Sequence, residues 1–173
     1  VISENDYADW QQRTQRRVSL IQGWHEDLRP QDREYLNGRR ITDETISRLR
    51  IGYTGQGAEV SIKGEKVYGF AAGRIAIPAY KNGYVVSWVA RATRPGQEPK
   101  YLKPPIDDCT EHEPFGLHTL DRNVDDLYIA EGAFDYLALE QEGCAVLATM
   151  GGYWGKETLK NVLSIARDYK RVI

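Results

Sequence analysis

Apolar side chains recur at helical spacing along the first third of the chain, and then the period shortens. Trp10, Val18, Leu20 and Ile21, set against a polar RTQRR stretch, predict an amphipathic helix over residues 4–22 that ends near Gly23. A second, short helix is expected over residues 31–37, stopped by Gly38. Thr42 has the character of an N-cap, with Asp43 and Glu44 in the first turn, where the helix dipole favours acids. The helix it opens runs through Ile46 and Leu49 and gives way at Ile51-Gly52. From Val60 to Thr93 apolar and polar positions alternate in VSIKG, KVYGF, RIAIPAY and YVVSWVARA, which predicts strands. Asn82-Gly83 between the last two is a hairpin signal, because a type I′ turn needs positive φ at both central positions. KYLK, after Pro99, reads as one more extended piece.

From Leu127 the logic changes. LYIAE predicts a buried strand, AFDYLALEQE a helix and CAVLATM a second strand. A Gly151-Gly152 loop follows, then a helix over residues 156–168 and a third strand at RVI. Strands alternating with helices imply a parallel sheet with right-handed crossovers. The fold class is therefore α+β then α/β. N-terminal helices and a small antiparallel sheet occupy residues 1–120, and the first part of a parallel-sheet domain occupies residues 121–173.

Composition narrows the setting. With 41% hydrophobic and 28% charged residues, the chain has the make-up of a globular domain and not of a disordered one. No apolar run approaches the roughly 20 residues that span a bilayer, and no signal peptide is apparent, so no membrane partner is expected. Cys109 and Cys144 lack C-x-x-C spacing, and His25, His112 and His118 are far apart, so no zinc site and no disulfide framework is expected. A reducing, cytoplasmic location follows. The start at Val1 and the stop at KRVI are expected to be cuts in a longer protein.

Charge is unevenly placed. Residues 59–103 hold eight Lys/Arg against three Asp/Glu, and residues 104–131 hold one Arg against eight Asp/Glu. The flanking segments are balanced, so this split picks out two surfaces: one for phosphates and one for metal ions. The alternative is that the two blocks are solvated faces whose charges pair with each other.

Glu131 ends an apolar strand, and Gly132 lets the chain turn there. Ligands gather at the carboxyl ends of parallel strands, and Asp135 follows one helical turn later. Two such acids suit Mg²⁺, which prefers oxygen ligands and keeps several waters. Equally, Glu131 could be an exposed strand terminus and Asp135 an acid that stabilises its helix start. Thr149, Gly151 and Gly152 could offer backbone N–H groups to a phosphate, or could be a turn. In the basic block, Arg74, Arg91, Arg94, Lys100 and Lys103 are candidates to grip a triphosphate or a nucleic-acid backbone. Tyr101 and Trp88 could stack on bases or pack in the core. No Ser/His/Asp elbow, P-loop or G-x-G-x-x-G is present, which argues against hydrolase, NTPase and dinucleotide-binding readings.

Taken in order, several segments resemble the catalytic core of DnaG-type primases. YLNGRRITDETISRLRIGY, GRIAIPAYKNGYVVSWVARAT, EPKYLKPP and FGLHTL match the motifs of the family's basic module, and LYIAEGAFDYLALEQEGCAVLATMGG matches the opening of its Toprim domain. The resemblance covers most of the chain from about residue 33. It implies template-directed synthesis of short RNA primers from NTPs on a single-stranded DNA template, by a nucleotidyltransferase. In that reading Glu131 and Asp135 hold Mg²⁺ or Mn²⁺, and Arg74, Arg91, Lys100, Tyr101 and Lys103 contact nucleotide or nucleic acid. A replicative helicase, fused or in trans, is the implied protein partner. The Asp-x-Asp motif that completes the family's metal site is expected beyond RVI, so the fragment alone is expected to be inactive. Lys103 stands where the family usually has Asn, Arg40 where it has Gly, and His112-Glu113 where it commonly has a lysine. These departures point to a phage or mobile-element primase. The competing readings are a non-catalytic single-stranded-DNA-binding or replisome-interaction module and another Toprim enzyme such as a nuclease.

Overall fold

The computed structural model describes residues 4–105, 113–121, 123–152 and 154–173; Cys109 and His112 lie outside them. Helix α1 (Glu4–Glu26) runs a turn past Gly23. A glycine costs a helix about 1 kcal/mol, but continuing through it buries Trp24 edge-on against Trp88, with ring centroids 5.0 Å apart. Helix α2 (Pro30–Gly38) begins with proline in its first turn, where no N–H is needed. Helix α3 (Asp43–Arg48) is capped as expected: the Thr45 N–H donates to Thr42 Oγ1 at 3.2 Å.

A two-residue strand that the hydrophobic pattern does not announce, β1 (Gly52–Tyr53), opens the first sheet. β2 (Ala58–Ile62) and β3 (Glu65–Phe70) form a separate two-stranded hairpin. β4 (Ile75–Lys81) and β5 (Tyr84–Arg91) are joined by Asn82 and Gly83 at φ 50° and 80°, the positive pair that a type I′ turn demands. With β6 (Tyr101–Leu102) the antiparallel order is β1-β4-β5-β6. Pro78 is tolerated inside β4 because β1 reaches only as far as Ala76, so no strand covers that stretch on that side.

Both faces of this sheet are buried. Val85, Trp88 and Ala90 pack with Ile21 and Trp24 of α1 and with Val60 of the hairpin. On the other face Ile75, Ile77 and Val89 pack with Leu36, Ile41 and Ile46, and also with Tyr136 and Leu137 from further along the chain.

Those last two belong to the second unit, formed by β7 (Asp126–Ala130), α4 (Ala133–Gln141), β8 (Val146–Ala148), α5 (Lys156–Ala166) and β9 (Arg171–Val172). Its sheet is parallel, in the order β8-β7-β9. Val162 of α5 covers one face together with Leu127, Leu147 and Tyr169. Helix α4 lies on the other face, within the core shared with α2 and α3. A 3-10 turn (Leu117–Thr119) leads in, and Phe115 pairs with Ala148 on the outer edge of β8. Among the described residues no helix is long and apolar enough to cross a membrane.

Ile77, with no exposed surface, touches this shared core at its centre. Ile77→Ala is expected to cost about 2–5 kcal/mol of unfolding free energy, measured by urea denaturation. A loss well under that range would show that the sheet face is not tightly packed.

Candidate functional site

Glu131 follows the last residue of β7, and its carboxylate side chain is exposed. Its backbone carbonyl is tied to the neighbouring loop: it accepts from the Gly151 N–H at 2.9 Å and from Thr149 Oγ1 at 3.3 Å. Asp135, also exposed, sits in the first turn of α4 and folds back over Gly132, so that a Cβ there would stand 2.7 Å from Oδ2. The fold thus returns the second acid to the residue next to the first, as helical spacing predicts. Neither carboxylate is held by a described cation, whereas Asp125 and Asp126 are paired with Lys170 (2.9 Å) and Arg171 (2.7 Å).

Tyr101 of β6 joins this loop to the basic module. Its phenolic oxygen accepts the Ala133 N–H at 3.1 Å, capping α4, and its ring lies against Gly151. Gly151 has φ 78°, and a Cβ there would fall inside the ring. The Tyr101 ring therefore packs on the loop. Lys103, exposed as a residue, donates to the Thr149 carbonyl at 2.7 Å, and the partial desolvation of its ammonium group against that loop lowers its pKa. Lys100 is exposed, with Nζ 5.6 Å from the Tyr101 ring centre. The carboxyl ends of two parallel strands and a basic extended segment thus meet in one place.

Two of the three arginines of the basic block face inward; the third, Arg94, is exposed and donates to Tyr53 Oη at 3.4 Å. Arg91 is 9% exposed; its guanidinium lies 4.5 Å from the Phe134 ring and 5.6 Å from Tyr101, and donates to Tyr35 Oη and the Ala92 carbonyl at 3.1 and 2.7 Å. Arg74, 4% exposed, donates to the carbonyls of Pro99 and Glu98 at 2.6 and 3.2 Å, gripping the turn that delivers β6, and burial lowers its pKa. Trp88, 1% exposed, belongs to the core. The backbone N–H groups of Thr149 and Gly151 donate to the carbonyls of Ala130 and Glu131, so they are engaged in joining the loops instead of being open to a phosphate.

Arg39 is a cation that the charge split passes over, since it lies in the balanced segment of residues 1–58. It is exposed and stands 5.2 Å from the Phe134 ring centre, beside the start of α4. The YLNGRR stretch was the available signal. A second feature missed by charge counting lies at the other end of α4. Buried Glu140 takes a forked pair of hydrogen bonds from Arg48, one of them 2.8 Å from Nη2 to Oε2.

Among the described residues no group of three or more His, Cys, Asp and Glu could hold a metal ion. Glu131 and Asp135 are exposed hard oxygen donors at either side of Gly132, and no described cation competes for them. That suits Mg²⁺ or Mn²⁺, ions commonly held by one or two carboxylates with water and substrate phosphates completing the shell.

No protein-family model matches the chain. A DNA primase of Legionella pneumophila is 29% identical over 144 residues, an alignment covering 68% of this chain and 25% of that protein; the chain thus spans about a quarter of this curated relative. Among solved structures, a DnaG primase catalytic domain bound to ssDNA superposes with a TM-score of 0.75 at 22% identity, covering 96% of this chain and 63% of that one. The zinc-binding and RNA polymerase domains of Aquifex aeolicus primase give 0.73 at 22% identity, covering 99% and 48%. The RNA polymerase domain of Mycobacterium tuberculosis DnaG, in complex with double-stranded DNA, gives 0.74 at 17%, covering 99% and 63%. The chain has the fold of a DnaG-type primase catalytic core: N-terminal helices, an antiparallel sheet module and a parallel, Toprim-like sheet.

Two measurements test this geometry. Tyr101→Phe removes the acceptor for the Ala133 N–H and is expected to cost about 1 kcal/mol in denaturant unfolding, while Gly151→Ala, which forces a Cβ into the ring, costs more. Equal costs would mean the ring does not rest on Gly151. For Glu140, burial pushes the carboxyl pKa up, but Arg48 and His118 outweigh it and hold the group below the usual carboxylate range. Its stabilisation is therefore complete above the unfolded value, about 4.3, and is lost as pH falls through the folded one. Glu140→Gln is expected to flatten the acid limb of a stability–pH curve, and an unchanged limb would contradict the assignment.

Proposed function

We propose that this chain is the core of a DNA primase, which makes short RNA primers from NTPs on single-stranded DNA. The observation that carries this reading is the junction at Tyr101, where the basic segment of residues 100–103 is fastened to the loop bearing Glu131 and Asp135. A nucleotidyl transfer needs a phosphate grip and a carboxylate-held cation within one site, and a junction that sets Lys100 beside the loop of the two acids supports that reading. Primase relatives and the ssDNA-bound neighbour point the same way.

In this reading residues 1–120 form the basic module and residues 121–173 the Toprim part. Glu131 and Asp135 would hold Mg²⁺ or Mn²⁺, which when bound would supply positive charge against the reacting phosphate. Lys100 and Arg39, both exposed beside that loop, draw in the triphosphate or template by charge. Lys103 and Tyr101 fix the loop that carries the acids. Arg91 and Arg74 act from beneath: one braces Phe134 and Tyr101, the other sets the turn that brings Lys100 to the site. Two carboxylates alone would leave such an ion's shell largely to water and phosphate, so residues 1–173 alone are expected to catalyse little. Work in the cytoplasm beside a replicative helicase, in a phage or mobile-element setting, completes the proposal.

The test uses the full-length protein with a single-stranded DNA template, NTPs and Mg²⁺ or Mn²⁺. Primers form with the unsubstituted protein, and Glu131→Gln reduces synthesis by a factor on the order of a hundred or more. Template binding without any synthesis would favour the non-catalytic DNA-binding module. Lys100→Ala is expected to weaken DNA or NTP binding and to lower the salt slope by about one. Unaltered binding removes Lys100 from the site.

A further inference from the structure

Helix α4 is gripped at both ends by the N-terminal module, and the two grips differ in kind. At its start, Tyr101 caps Ala133 beside Asp135. At its end, 92 residues distant in sequence, Arg48 of α3 closes a fork on both oxygens of Glu140. The next residue, Gln141, takes the Thr42 N–H on Oε1 at 2.9 Å and donates to the Arg40 carbonyl at 3.2 Å. His118 of the 3-10 turn closes the cluster: Nε2 stands 3.5 Å from Glu140 Oε1, and its ring meets Tyr80 of β4 edge-on at 5.7 Å. Tyr80 in turn donates to the Leu49 carbonyl at 3.0 Å, just after α3. A polar cleft of about 590 Å³ lies over this cluster, lined in part by Glu44, Thr45, Glu142 and Cys144.

Stability alone gives this cluster little reason to be polar. Glu140 is buried while Arg48 keeps nearly half its side chain in water, so the carboxylate loses hydration that the pair only partly returns, but a fork of hydrogen bonds fixes direction as apolar contacts do not. Between the two grips α4 touches the module through the Phe134 ring, which lies on Arg91 and beside Tyr35, and through Tyr136 and Leu137, contacts without fixed hydrogen-bond partners that a sliding helix could keep. The forked pair and the Gln141 bonds forbid that slide.

We propose that Arg48 and Glu140, with Gln141 and His118 beside them, form a latch that fixes the axial position of α4 on the N-terminal module and so sets where Asp135 stands. These are positioning residues: none of them touches the loop bearing Glu131. The functional consequence rests on the primase reading, whereas the mechanical claim does not.

The test compares Arg48→Met, Glu140→Gln and the double variant R48M/E140M in the full-length protein. Each is followed by urea unfolding and by amide hydrogen exchange. Breaking one partner should speed exchange at residues 133–137 at least about fivefold relative to residues 127–130 and 146–148 of the same molecule. In the double variant the unfolding midpoint should recover while residues 133–137 stay unprotected, and kcat for primer synthesis should stay low with KM for NTP little changed. Recovery of protection together with stability would overturn the latch and leave an ordinary structural ion pair. So would wild-type exchange at residues 133–137 in Glu140→Gln. If the unsubstituted protein makes no primers, the primase reading falls and the exchange comparison still decides the latch.

Discussion

A four-stranded sheet with water on neither face needs two cover layers, and that need organises this molecule. Helix α1 and the β2–β3 hairpin close one face. The other is too wide for α2 and α3, and α4 completes it, bringing Tyr136 and Leu137 against Ile77 and Val89. Because α4 starts at the loop after β7, closing the sheet also places Glu131 and Asp135 beside β6. Site geometry is a by-product of core burial, which is how a scaffold of short strands can hold an exposed pair of acids steady.

Guanidinium groups do much of the joining. Arg17 donates to the Val85 carbonyl at 3.0 Å, Arg74 to the turn before β6, Arg91 to Tyr35 and Ala92, and Arg48 to Glu140. A guanidinium is planar, weakly hydrated and rich in donors, so it can enter a core edge, satisfy carbonyls and lie on aromatic rings at smaller desolvation cost than an ammonium. The lysines of the basic block follow the opposite rule and stay at the surface. Lys66 pairs with Glu59 and Lys81 with Glu113, while Lys100 lies over Tyr101.

Local rules were legible in the sequence. Thr42 and Asn82-Gly83 lie where a cap and a turn were expected, and β7 ends at Ala130, one residue short of the expected end at Glu131, since such signals depend only on neighbours in the chain. The continuation of α1 through Gly23 and the pairing of β1 with β4 were not legible, because each depends on a partner dozens of residues away. The same holds for charge. A count along the chain sees Arg74 and Arg91 as surface cations, and only the fold shows them turned inward. The burial of Glu140 is written in the helix pattern. This residue stands one turn beyond Tyr136 on the apolar face of α4, and a carboxylate in that row requires a partner.

Sharing one helix between two sheets also constrains the order of events during synthesis. The strands of the first sheet leave the ribosome long before residues 133–141, so the face built on Ile75, Ile77 and Val89 lacks its last cover for that interval. At about 5–20 residues per second, the exposure lasts several seconds, a window in which an apolar sheet can meet a chaperone or another nascent chain. The N-terminal module should therefore be the part of this protein most dependent on timing: it acquires its final surface only when the segment carrying the acids arrives to complete it.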